Sequence, residues 1–197
     1  MNPDILGKKY DRIAEWWDNR HQHGSYGVKQ IKNAIKFCST KMDALDVGCG
    51  SGGRITSVLK GEGFSVTGID VSAEMIRLAN ANHPNDTFIH ADICVWKTDK
   101  KFDLVIAWDS IFHVPYNQQK TVLEHLCEFL SQDGVLIYTF GNAVGEHTDQ
   151  WRNDTFYYSS IGINENIKLL INNGLSILHL ELDQYPENHV YVVAKKL

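Results

Sequence analysis

Four prolines and four cysteines in 197 residues leave little rigid punctuation and little room for disulfide or metal chemistry. Cys38, Cys49, Cys94 and Cys127 stand far apart with no C-x-x-C pair, so zinc-ligand spacing is missing and no metal is expected. No apolar run is long enough to cross a membrane, and no cleavable leader precedes the first polar helix. The expected compartment is a reducing cytoplasm, with no membrane partner. No block of Lys and Arg exists and the formal net charge is −5, which argues against nucleic acid as a partner. There is also no internal repeat, linker or low-complexity segment. Nothing in the composition sets the oligomeric state. One domain over residues 1–197 is the expectation from length, with residues 1–40 as an N-terminal helical cap and 41–197 as the core.

Glycine is concentrated in one place. Leu45-Asp46-Val47-Gly48-Cys49-Gly50-Ser51-Gly52-Gly53 reads as the end of a buried strand, a glycine turn and the start of a helix. Ile55, Val58 and Leu59 follow at helical spacing. A turn with so few side chains lets a ligand lie against the main chain, and the N–H groups at the helix start favour a negative group. Gly48, Gly50 and Gly53 also fit G-x-G-x-x-G, a weak dinucleotide signal. Asp46 bears on the choice between ligands. Its charge would repel a pyrophosphate in a poorly screened site and attract an ammonium or sulfonium.

Around this turn, apolar strands alternate with helices. Strands are predicted at 43–48, 64–69, 87–90, 103–108 and 134–140, and helices at 53–61, 72–82 and 117–130. The pattern implies a parallel sheet covered on both faces. Residues 4–19 read as one amphipathic helix, with Tyr10, Ile13, Ala14 and Trp17 in step, and 28–38 as a second. Residues 141–160 carry little apolar periodicity and read as a long functional loop. A helix over 164–173 and two alternating segments, 178–182 and 190–194, follow. The short loop between those segments predicts an antiparallel hairpin.

Asp70, at the tip of the second strand, suits a carboxylate that accepts hydrogen bonds from two ribose hydroxyls. Asp46-x-Gly48-x-Gly50-x-Gly52, Asp70 and the Ala91-Asp92-Ile93 triplet, in that order, resemble the class I S-adenosylmethionine-dependent methyltransferases. The terminal hairpin adds to the likeness. The resemblance implies a Rossmann-like α/β fold with a seven-stranded, mostly parallel sheet, helices on both faces and the last strand antiparallel. It implies S-adenosylmethionine as cofactor, with Gly48, Cys49, Gly50 and Gly52 against its amino-acid part. Asp70 and Val71 would meet the ribose, and Asp92 and Ile93 the adenine. Trp108, at the end of the fourth strand, is a further cofactor contact on this reading.

Phe102-Asp103-Leu104-Val105, Phe112-His113-Val114-Pro115 and Gly134-Val135-Leu136 look most like the small-molecule branch of that family. The fourth strand ends in Trp108-Asp109-Ser110-Ile111 where N-P-P-Y would stand for adenine or glutamine methylation. The expected acceptor is therefore a small molecule. His113 is the first candidate for a general base and Asp109 the second, should the acceptor need to lose a proton. Tyr10 and Trp17 are candidates to close over the sulfonium by cation–π contact, with the N-terminal helix as a lid. Two alternatives stand beside this reading: a nicotinamide-dependent oxidoreductase, and a catalytically silent protein that binds the cofactor.

Overall fold

Strand parity divides the core. In β1 (Asp43–Val47), Leu45 and Val47 face one side of the sheet while Ala44 and Asp46 face the other. The first side joins Ile69, Val105, Ala107, Leu136 and Tyr138 in one apolar cluster, and the second joins Val66, Leu104, Ile106 and Trp108 in another. The computed structural model describes residues 2–197. Its sheet has seven strands, ordered β3-β2-β1-β4-β5-β9-β8. The others are β2 (Ser65–Asp70), β3 (Thr87–His90), β4 (Phe102–Ala107), β5 (Leu130–Gly141), β8 (Leu175–Glu181) and β9 (His189–Lys196). β1 to β5 pair in parallel, and β9 runs antiparallel between β5 and β8. This matches the predicted seven-stranded, mostly parallel sheet and its terminal hairpin.

Helices α3 (Val28–Ile35) and α4 (Arg54–Gly61) flank one face, and α6 (Gln119–Glu128) and α7 (Gly162–Asn172) the other. The chain leaves β1 for β2 and β3, then returns to β4 on the opposite side of β1. That reversal opens a crevice at the carboxyl ends of β1 and β4, the usual ligand site of an open α/β sheet.

Two segments differ from expectation. Residues 4–19 form two helices, α1 (Pro3–Asp11) and α2 (Ala14–His21), broken at Ile13. Tertiary contacts account for the break. Asp11 accepts hydrogen bonds from Ser72 Oγ (2.6 Å) and Glu74 N (3.0 Å) at the start of α5 (Ala73–Asn82). Arg12, next in sequence, pairs with Asp154. Residues 141–160 are mostly a second, two-stranded sheet rather than a loop: β6 (Val144–Trp151) pairs antiparallel with β7 (Asp154–Ile161).

This hairpin grips the N-terminal helices. Trp151 packs edge-on against Trp16 and Trp17, with ring centroids 5.9 and 6.1 Å apart. Arg152 lies over the Trp16 ring at 3.2 Å, and Lys9 pairs with Asp154 at 2.9 Å. Gly7 lets α1 seat closely: a Cβ there would collide with the Val71 carbonyl. No helix among the described residues is long and apolar enough to cross a membrane.

Candidate active site

The glycine turn closes the carboxyl end of β1. Gly48 has φ +74°, and a Cβ on it would strike the Ser110 side chain, so the turn tolerates no larger residue there. Ser110 Oγ donates to the Val47 carbonyl at 2.7 Å and ties the tip of β4 to the tip of β1. Asp70 sits at the next strand tip. Its Oδ2 accepts from Gly50 N at 2.9 Å and its Oδ1 from Ser72 N at 2.8 Å. Burial pushes this carboxyl up, and those backbone N–H groups oppose the shift. Asp92, after β3, accepts from Cys94 N at 2.9 Å.

A cleft with about 780 Å³ of empty volume, open solvent at its mouth included, runs along these tips. Gly48, Gly50, Asp70, Val71, Asp92 and Ile93 line it. Tyr10, Trp17, Asp109, Ser110 and His113 line it as well, with Trp17 beside Gly50 and Ser110 beside Gly48. Most of the residues singled out from the sequence therefore come together. Among the described residues, no cluster of His, Cys, Asp and Glu has the makings of a metal site.

Four expected cofactor contacts lie elsewhere. Asp46 and Trp108 point to the α3–α4 side of the sheet, as their strand parity dictates. Asp46 is buried, and its carboxyl is raised to about 7 by burial first and then by the charge of Asp70, with Arg54 opposing. Trp108 is buried against Tyr26, His189 and Tyr191. Cys49 is buried with Ile76, Ala79 and Phe88. Gly52 faces His83, which bonds to its carbonyl. None of the four is among the residues that line the cleft.

His113 is 5% exposed and both its ring nitrogens are engaged. Nδ1 lies 2.7 Å from the Tyr157 carbonyl, which can only accept, so Nδ1 carries the proton. Nε2 then accepts from the Tyr10 hydroxyl at 2.9 Å. Burial holds the imidazole down at about 4. A neutral ring with its one lone pair already used is a poor proton acceptor, in contrast to the role expected for it. The same burial pushes the Tyr10 phenol far up, so it stays protonated.

Asp109 has φ +51°, a left-handed conformation uncommon outside glycine. Its backbone N donates to Thr139 Oγ1 at 2.8 Å, and Thr139 Oγ1 reaches its Oδ1 at 3.3 Å. His189, which the sequence gave no reason to single out, places Nε2 3.0 Å from Asp109 Oδ1 and Nδ1 2.5 Å from Asp183 Oδ1. Leu6 also lines the cleft unannounced. Its i, i+4 spacing to Tyr10 was the available signal.

A protein-family model described as a methyltransferase domain matches residues 44–134. A ubiquinone biosynthesis O-methyltransferase from Rickettsia canadensis is 29% identical over 202 aligned residues, covering 88% of this chain and 84% of the relative. A trans-aconitate 2-methyltransferase from Enterobacter is 30% identical over 140 residues, covering 68% of this chain and 54% of that protein. Among solved structures, a magnesium protoporphyrin IX methyltransferase from Synechocystis, with S-adenosylhomocysteine bound, superposes with a TM-score of 0.72. It is 18% identical and covered end to end, a likeness of fold. The matched segment runs from β1 through the glycine turn, Asp70, Asp92 and β4, the elements that build the cleft. Together these observations rule out the nicotinamide alternative: the chain belongs to the class I S-adenosylmethionine-dependent methyltransferases.

Proposed function

We propose that this enzyme methylates a small molecule, with the cofactor held by the glycine turn, Asp70 and Asp92. The supporting observation is that these three features, separate in sequence, line one cleft at the sheet's reversal point. Bound there, S-adenosylmethionine supplies an electrophilic methyl group on a positively charged sulfur. The protein's share is to orient both molecules and exclude water. Asp70 still has acceptor capacity for the ribose hydroxyls after taking one backbone N–H on each oxygen. Asp92, which accepts from Cys94 N through Oδ1, is the partner for the adenine amino group. Asp70 and Asp92 make this cleft electronegative. That favours a ligand with an ammonium and a sulfonium over one with a pyrophosphate.

Tyr10 and Trp17 bring aromatic rings to the cleft, with centroids 5.8 Å apart at a right angle and Trp17 beside Gly50. They are the cation–π partners proposed for the sulfonium, a contact worth on the order of 0.5–2 kcal/mol. His113 holds the Tyr10 hydroxyl in place rather than removing a proton. Any proton lost by the acceptor goes to Asp109, the second candidate base, which lines the same cleft. The small-molecule acceptor follows the relatives, named for ubiquinone biosynthesis and for trans-aconitate. A screen of phenols, amines and carboxylic acids for S-adenosylhomocysteine release tests it. Turnover with at least one small acceptor is expected. Turnover confined to protein or nucleic-acid substrates would overturn it.

A further inference from the structure

We propose that Asp109 receives the methyl acceptor through a hydrogen bond from its nucleophilic O–H or N–H, and that the acceptor is neutral or cationic rather than a carboxylate. The inference rests on the cofactor reading above, which assigns Asp70 and Asp92 to the cofactor and leaves Asp109 for the acceptor.

Asp109 is held for this task by a charged clamp. His189 stands between two carboxylates, Asp109 Oδ1 at 3.0 Å and Asp183 Oδ1 at 2.5 Å. Ionised carboxylates only accept, so both ring nitrogens carry protons and the ring is an imidazolium. Arg54 lies over the Tyr26 ring, 5.5 Å from its centroid, and Glu181 accepts from Tyr191 at 2.8 Å, so charges of both signs stand one residue further out. The Tyr26 hydroxyl lies 3.4 Å from His189 Nε2, and Gln184 Nε2 donates to that hydroxyl at 2.7 Å. Two negative charges and one positive leave the clamp with a net charge of −1. His189 and Thr139 both address Oδ1. A carboxylate has about four acceptor sites, so Asp109 keeps capacity for a donor from the cleft it lines. The left-handed backbone at φ +51° is an outlier of the kind that persists where surrounding structure over-determines it. Here the strand-end bond to Thr139 and the clamp do so.

The charge of the cleft selects the acceptor. Asp70, Asp92 and Asp109 line it, while no Lys or Arg does among the described residues, and His113 is neutral. S-adenosylmethionine adds one net positive charge, which does not balance three carboxylates. An anionic acceptor would meet uncompensated like charge in a poorly screened site. A phenol, alcohol or amine would meet an acceptor. Leu6, Ile93, Ile111 and Val114 offer its body an apolar surface.

Calorimetric titration of the protein loaded with S-adenosylhomocysteine tests the inference, with catechol, tyramine, trans-aconitate and benzoate as probes. Saturable binding of catechol or tyramine is expected, and none of the two carboxylates. Asp109→Asn should weaken the donor probe at least tenfold with the affinity for S-adenosylhomocysteine retained. Asp183→Asn, which leaves the cleft wall intact, should weaken it less. Nitrogen-15 spectra should find His189 protonated on both ring nitrogens at pH 7 in the wild type, and deprotonating at lower pH in Asp183→Asn. Carboxylate binding as tight as donor binding, no binding of either donor, undiminished binding by Asp109→Asn, or a neutral His189 would overturn it. Failure to bind S-adenosylhomocysteine at all would overturn the cofactor reading and this inference with it.

Discussion

Replacing Asp46 by asparagine should remove a pH dependence from the folding equilibrium. In the folded chain this carboxyl ionises near 7 instead of its ordinary 3.8, because it is buried and faces the charge of Asp70. A group raised in the folded state leaves stability intact at low pH and takes it away as pH rises. The gap is roughly three units at about 1.4 kcal/mol each, so full ionisation costs the fold ~4 kcal/mol. Part of that cost is already present at pH 5, and about 2–3 kcal/mol more develops between pH 5 and 8. Asparagine has nearly the same shape and no charge to bury. Urea unfolding of the ligand-free protein at pH 5, 6, 7 and 8 reads the effect directly. The variant should gain on the wild type by about 2–3 kcal/mol across that range. A difference that stays constant with pH would refute the reasoning, since it would mean that Asp46 is charged in the fold at no cost.

His113→Gln should show the opposite dependence. The imidazole is lowered to about 4, so its contribution is complete above pH 6.5 and is lost as pH falls towards 4. About 3 kcal/mol is at stake over that window. Urea titrations should find the acid-side slope flattened in the variant. Tyr10→Phe removes the hydroxyl bonded to His113 and should lower turnover more than cofactor affinity, read as kcat against Kd. Trp151→Ala breaks two aromatic contacts to α2 worth about 0.5–1.5 kcal/mol each. Hydrogen exchange across residues 3–21 should speed up in that variant while β1 and β4 stay protected. In the wild type, cofactor should slow exchange over the same residues if the helices act as a lid; equal protection with and without it would sink that idea.

The parts of the molecule built from local pattern were legible in the sequence. The glycine turn and the strand-tip carboxylate Asp70 needed only spacing and residue chemistry, and Asp92 came with the family resemblance. The hairpin of β6 and β7 was hidden because β6 has no buried residue to create alternation. Its turn holds Arg152 and Asn153 at φ +49° and +61°, a conformation usually announced by Asn-Gly. The break at Ile13 has no glycine or proline to signal it, since its causes, Asp11 at α5 and Arg12 at Asp154, are distant in sequence.

Trp108 illustrates a different limit. Position at a strand tip suggested a cofactor contact, but parity turned the ring to the other side of the sheet. Counting from Leu104 and Ile106 would have revealed it. His189 and Asp183 could not be found that way. They meet Asp109 only because β9 returns to the strand tips, some 80 residues after Asp109 in the chain.

The most direct measurement is a calorimetric titration of S-adenosylhomocysteine into the wild type, Asp70→Ala and Asp92→Ala, each checked for folding by thermal melting. The wild type should bind at one site. Each substitution should cost about 1.5–3 kcal/mol, a loss of roughly ten- to more than a hundredfold, because a hydrogen bond to a charged group is removed. Wild-type affinity in both folded variants would mean that the cofactor does not lie along these strand tips.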